Sequence, residues 1–178
     1  MKRLYIPLFC FLILVLESVL SFYLVDFNFI PEKWILVSHW LLLFLIQVSI
    51  FYDLERTYYS LFYAIIFGLF VDLLHTDLIG VYLFVYTAVT YLTHGIRKLL
   101  HTNFFVALLL SVLGVAFAEV LIYFLYDTIQ IHQVIWEDYW QLRLLPTLGW
   151  NLLFFLLIYL LFKKKLTQWS NDRFDRKD

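Results

Sequence analysis

Long apolar runs divided by short polar breaks make up most of this chain, and no run alternates with a period of two. Six runs, at roughly 4–25, 34–52, 58–75, 78–96, 104–126 and 141–162, meet or approach the length of a membrane span. About 20 residues at about 1.5 Å each cross about 30 Å of hydrocarbon. Only His75-Thr76-Asp77 separates the third run from the fourth. Together they are about twice one crossing, which predicts a helical hairpin. Strands of a membrane barrel would alternate lipid-facing and lumen-facing residues, so the pattern excludes that architecture. The first run follows Met1-Lys2-Arg3 as a signal peptide would. It continues to about Val25, carries Glu17 and has no small-x-small cleavage site, and so reads as an uncleaved first span.

Composition changes the picture only by choosing the solvent. Of 178 residues, 63% are hydrophobic, 21% aromatic and 15% charged, with a mean hydropathy of +0.84. A soluble domain has roughly 45–50% apolar and about 25% charged residues. The expected fold is an all-α integral membrane protein, a single bundle of six transmembrane helices (1–162) with short loops. A basic, mixed-charge cytoplasmic tail at 163–178 is expected to be a stop-transfer anchor with a disordered end. The stretch 127–140 alternates polar groups with Ile129, Ile131, Val134, Ile135 and Trp136, as an interfacial segment would. A net charge of −1 gives no sign of nucleic-acid binding. The lone Cys10 sits in an apolar run and reads as a small hydrophobe.

Lysine and arginine set the orientation. With the N-terminus inside, Lys2, Arg3, Arg56, Arg97, Lys98, Lys163, Lys164, Lys165, Arg173, Arg176 and Lys177 are cytoplasmic, and only Lys33 and Arg143 are outside. Both termini are therefore expected in the cytoplasm. Trp34, Tyr52, Trp136, Tyr139, Trp140 and Trp169 fall near span ends, where amphipathic rings prefer to sit.

Polar groups inside the spans are the candidate sites, because each ionised one costs about 2.5–3.5 kcal/mol at a helix centre. They are Glu17, Asp72 and Glu119, with His39, Gln47, His94 and Asn151 adding uncharged polarity. Arg143, near the outer end of the last span, is the basic residue available to pair with Glu119 or Glu17. Interhelical hydrogen bonding, partner docking and an ion path are all open to these acids. The absence of a mid-span proline argues against the broken helices of a transporter. On the fifth span Ala107, Ser111, Gly114 and Ala118 share one face, as helices that approach closely in lipid require, and Ala64 and Gly68 make a shorter version on the third.

No hydrolase, metalloprotease or phosphate-loop motif is present, and no paired cysteines. His39, His75, His94, His101 and His132 are scattered. His94 and His101, seven apart, lack a nearby carboxylate, so no metal, cofactor or enzymatic role is expected.

One stretch is more specific. Gly68-Leu69-x-x-Asp72-Leu73-Leu74, then Leu78-x-Gly80, then Tyr82 and Tyr86, resembles the signature that joins the middle spans of the rod shape-determining MreD family. His75-Thr76-Asp77 stands where many members carry small or glycine-rich residues. Independently of the family, Gly68 permits close packing one turn before Asp72. Asp72 can accept from amides of the following turn, and Gly80 would keep a side chain out of the crossing. The resemblance implies a non-enzymatic scaffold of the bacterial plasma membrane that binds the transmembrane region of MreC. It further implies a place in the elongation complex with MreB, RodA and a class B penicillin-binding transpeptidase. It also implies a bundle similar to the substrate-binding subunits of energy-coupling-factor transporters. The alternative is a small-molecule transport subunit resembling a vitamin-binding component, which would need a polar pocket opening outward near the midplane.

Overall fold

Every regular element among the described residues is helical, as long apolar runs in lipid require. The computed structural model describes residues 4–26, 33–76, 78–130 and 135–174, without the side chains of 22 and 24–26. Of the residues named above, Met1, Lys2, Arg3, Asp77, Ile131, His132, Val134, Arg176 and Lys177 lie outside the described residues. The helices are α1 (Tyr5–Asp26), α2 (Trp40–Phe51), α3 (Tyr59–His75), α4 (Val81–Arg97), α5 (Phe104–Thr128), α6 (Trp136–Tyr139) and α7 (Leu145–Phe174). A π-helical turn at Trp140–Leu144 joins α6 to α7. Two stretches are long and apolar enough to cross a membrane: α5, and the 39 residues from Trp136 to Phe174.

The shortest of the main helices is the central one. Trp40 to Ile50 are all buried, and α2 touches α1, α3, α4, α5 and α7. A helix apolar all round is stable only where neighbours cover every face. At 12 residues it extends about 18 Å, well short of a full crossing. The rest of its segment, residues 34–39, is not helical. The expected helix over 34–52 is thus helical only from Trp40 to Phe51, and the non-helical stretch before it is tied to α7.

The α3–α4 hairpin explains its sequence signature. A Cβ at Gly68 would stand 2.8 Å from Leu83 Cα and 3.1 Å from the Tyr82 carbonyl, so the two backbones meet there. Gly80 serves a different purpose from the expected one. A Cβ there would meet nothing within 4 Å, but its φ of +113° is a conformation that L side chains rarely adopt. In the departing tripeptide, His75 Nε2 lies 2.9 Å from Ser18 Oγ on α1. Thr76 Oγ1 donates to the carbonyls of Asp72 and Leu78.

The small residues of α5 pack inside the chain, where Gly114 faces Ile46 of α2 and Val89 of α4. The last helix does not stop at Lys163, since α7 continues to Phe174. Leu166, Trp169, Ser170 and Phe174 recur at helical spacing on one side, so that side can pack. Trp169 stacks on Phe9, Ser170 donates to the Tyr52 carbonyl, and the Arg173 guanidinium lies 3.9 Å from the Tyr59 ring centroid. Among the aromatics near span ends, Tyr52 and Tyr139 are buried, whereas Trp34, Trp136 and Trp140 are exposed.

Gly68→Ala is expected to lower stability by about 1–3 kcal/mol, since the obstructing atoms are backbone and cannot rotate aside. Gly149→Ala, whose Cβ meets nothing, should be neutral or slightly stabilising. Thermal melting in one detergent compares the two.

Candidate functional site: the polar cluster at the buried start of α2

Entering a helix inside a bundle exposes a chemical problem. The first four amides of a helix have no partner within it, and at membrane depth water does not supply one. Around α2 the partners come from distant side chains. Leu41 N donates to Glu17 Oε2 of α1 (3.0 Å), and His39 N donates to Asn151 Oδ1 of α7 (2.7 Å). Upstream, Val37 N donates to Thr147 Oγ1, and Ile35 N donates to the Leu142 carbonyl in the π turn. Asn151 Nδ2 donates to the carbonyls of Val37 and Thr147, both at 2.8 Å.

The same device recurs at two other helices. Asp72 of α3 accepts from Gly80, Tyr82 and Leu83 amides at 2.8–2.9 Å, closing the first turn of α4. Asp53, just after α2, accepts from the amides of Tyr59 and Ser60 and from the Ser60 hydroxyl at the start of α3. A carboxylate is well placed at a helix N-terminus because the unpaired amides carry partial positive charge there.

Glu119 of α5 is the hub of the cluster and is fully buried. Its Oε1 lies 2.7 Å from His39 Nε2. Its Oε2 accepts from the Tyr139 hydroxyl at 2.6 Å and from Arg143 Nε at 2.9 Å. His39 Nδ1 lies 3.0 Å from the Tyr86 hydroxyl of α4. An ionised carboxylate only accepts, so Nε2 of His39 is the donor to Glu119. The cluster therefore joins the non-helical segment before α2, α4, α5, α6 and the π turn.

Sequence reasoning paired Arg143 with Glu119 or Glu17, and the geometry selects Glu119. It placed Asp72, Gly68 and Gly80 in the hairpin, where they are. It did not bring His39, Tyr86, Tyr139 and Thr147 to one place, nor Asp53 to α3. One signal was available: Tyr139, Arg143, Thr147 and Asn151 recur every four residues, a polar stripe along one side of the last segment. Gln47, fully buried in α2, has neither amide atom bonded, and the hydroxyl of Ser111 is likewise without a partner.

What this arrangement can do chemically is limited. The acids are bound to helix-end amides or to neighbouring side chains, and among the described residues no three His, Cys, Asp or Glu side chains form a metal-binding group. His94 Nε2 lies 3.4 Å from the Glu55 carbonyl, and His101 is exposed. Glu17, Asp72, Glu119 and Arg143 are thus engaged by partners inside the bundle, and the transport alternative finds no support.

Comparison with known proteins agrees with the hairpin signature. The family model described as rod shape-determining protein MreD matches residues 2–167. The rod shape-determining protein MreD of Bacillus subtilis (strain 168) is 31% identical over 163 residues, which is 92% of this chain and 92% of that protein. No solved structure matches.

Removing one partner of the buried pair should cost more than removing both. Glu119→Gln and Arg143→Gln are each expected to cost about 3 kcal/mol by leaving a buried charge unpaired. The double variant should lose less than the sum of the two, as read by a melting-based mutant cycle.

Asp53 gives a pH prediction. Burial pushes its carboxyl up from 3.8 to about 6 against the pull of its hydrogen bonds. Between pH about 4 and about 6 the folded chain holds a proton that the unfolded chain has released. This contribution to stability is therefore full below pH 4 and is lost as pH rises through 6. Asp53→Asn should flatten that part of a stability–pH curve measured in detergent.

Proposed function

The chain belongs to the MreD family of rod shape-determining proteins, and we propose that it fulfils that role as a non-enzymatic scaffold of the bacterial plasma membrane. In this reading it crosses the membrane six times with both ends in the cytoplasm and holds the transmembrane helix of MreC. Through MreC it supports MreB, RodA and the class B transpeptidase in lateral wall synthesis. The observation that carries the scaffold reading is the commitment of Glu17, Asp72 and Glu119 to helix ends and neighbouring side chains. Groups so engaged build a rigid body and leave little for catalysis. The orientation rests on the lysine and arginine bias along the chain.

A single helix gains little from hydrophobicity when it leaves lipid for a protein surface, so packing must carry its specificity. The small-residue face of α5 is covered by α2 and α4 and is not free for a partner. The docking surface is therefore a lipid-facing one.

The test is purification of the tagged full-length chain from its own cells in mild detergent, with mass spectrometry of what accompanies it. Stoichiometric recovery of a single-span, coiled-coil-bearing wall-elongation protein is the expected outcome. Recovery of folded protein without it, or with an ATPase-coupled membrane module, overturns the reading.

A further inference from the structure

Two hollows flank the cytoplasmic half of α4. On the α5 side, a groove of about 280 Å³ is walled by Val89, Leu92 and Ile96 of α4 and by Leu110, Leu113 and Phe117 of α5. On the α3 side, a pocket of about 240 Å³ is lined by Tyr58, Tyr91, His94, Gly95 and Lys98. Leu92 and Ile96 line both, each about two-fifths exposed, as a low ridge between the two.

Their chemistry is complementary. The groove is apolar apart from Thr93. The pocket carries the charge of exposed Lys98, whose ammonium lies 5.5 Å from the Tyr58 ring centroid. His94, 2% exposed, packs its ring 4.6 Å from that of Tyr58. Its Nδ1 is buried without a hydrogen-bond partner, which costs free energy unless something supplies one. A Cβ at Gly95 would meet nothing within 4 Å, so the backbone is open to close approach. A cation, an unpaired ring nitrogen and two phenols beside a long apolar groove suit a molecule with an anionic phosphate head and a hydrocarbon tail.

We propose that the two hollows form one binding site for an anionic glycerophospholipid of the cytoplasmic leaflet. The phosphate sits against Lys98 in the tyrosine-lined pocket, and one acyl chain crosses the Leu92–Ile96 ridge into the α4–α5 groove. The leaflet rests on the orientation proposed above; the lipid class does not. A partner helix could fill the apolar groove but would leave the Lys98 pocket unused.

The full-length protein in mild detergent is titrated with phosphatidylglycerol and, separately, phosphatidylcholine of the same acyl chains, and bound lipid is read by native mass spectrometry. Preferential retention of phosphatidylglycerol is expected. Lys98→Glu should weaken it about fivefold or more, the effect of roughly 1 kcal/mol per basic side chain. Gly95→Leu, which fills the pocket, should abolish the preference. Lys164→Glu, at an exposed lysine of α7, should change nothing. All three variants should melt as the wild type does.

Equal retention of both lipids, or indifference to Lys98→Glu and Gly95→Leu, would reduce the hollows to ordinary lipid contact and overturn the proposal. So would retention of a polyprenyl phosphate in place of phosphatidylglycerol. A Lys98→Cys variant treated in cells with a membrane-impermeant maleimide tests the leaflet separately. Labelling only after permeabilisation supports it, and labelling of intact cells overturns it while leaving the lipid preference to stand or fall on the titration.

Discussion

Backbone amides that have no water to turn to govern this structure. An unpaired amide in hydrocarbon costs several kcal/mol, so a chain can enter a helix inside the bundle only where side chains meet its first turn. Glu17 and Asn151 do this for α2, Asp72 for α4 and Asp53 for α3. The non-helical residues 34–39 exist on the same terms, with Thr147, Asn151 and the π turn receiving their backbone groups. Polar residues that looked out of place in apolar spans are thus the supports of neighbouring helix ends. That accounts for a broken second segment without any ligand at the break.

The Glu119 cluster follows from the same scarcity of partners. Lipid tails are as apolar as leucine, so helix association here gains little from burial and depends on packing and polar contacts. A buried ion pair adds little net stability, because desolvation offsets its attraction, but separating the partners is costly. Glu119 with Arg143, His39 and Tyr139 therefore acts more on register than on stability. It fixes how far α5, the segment before α2 and the π turn slide past one another. A body held this way suits a scaffold, whose task is to keep a surface in one shape.

The end of the bundle where α7 passes α1 is held by different forces. There the long α7 lays Trp169, Ser170 and Arg173 against Phe9, Tyr52 and Tyr59, using stacking and hydrogen bonds where water is close. Glu119 and His39 are fully buried, whereas Trp169 and Arg173 here are partly exposed. Burial raises the proton affinity of Asp53 at this end.

Much of this was legible in the chain alone. The apolar runs required helices, and Gly68, Asp72 and Gly80 marked the hairpin together with its family. These are properties of local composition and near-neighbour spacing, and a helix or a tight reversal uses nothing more. The lone Arg143 also pointed to a buried acid, because a cation at that depth needs one. What only the tertiary structure decided was which acid, and which distant amides the other acids serve. His39 meets Glu119 from 80 residues away, and Asn151 meets the residue before α2 from 112 away. Hydropathy registers such residues only as polar, since it sums a residue's preference for water and not its partner. The break before Trp40 was invisible for the same reason. An apolar stretch reads as helix unless side chains elsewhere in the chain are positioned to take the hydrogen bonds that the helix would otherwise have made.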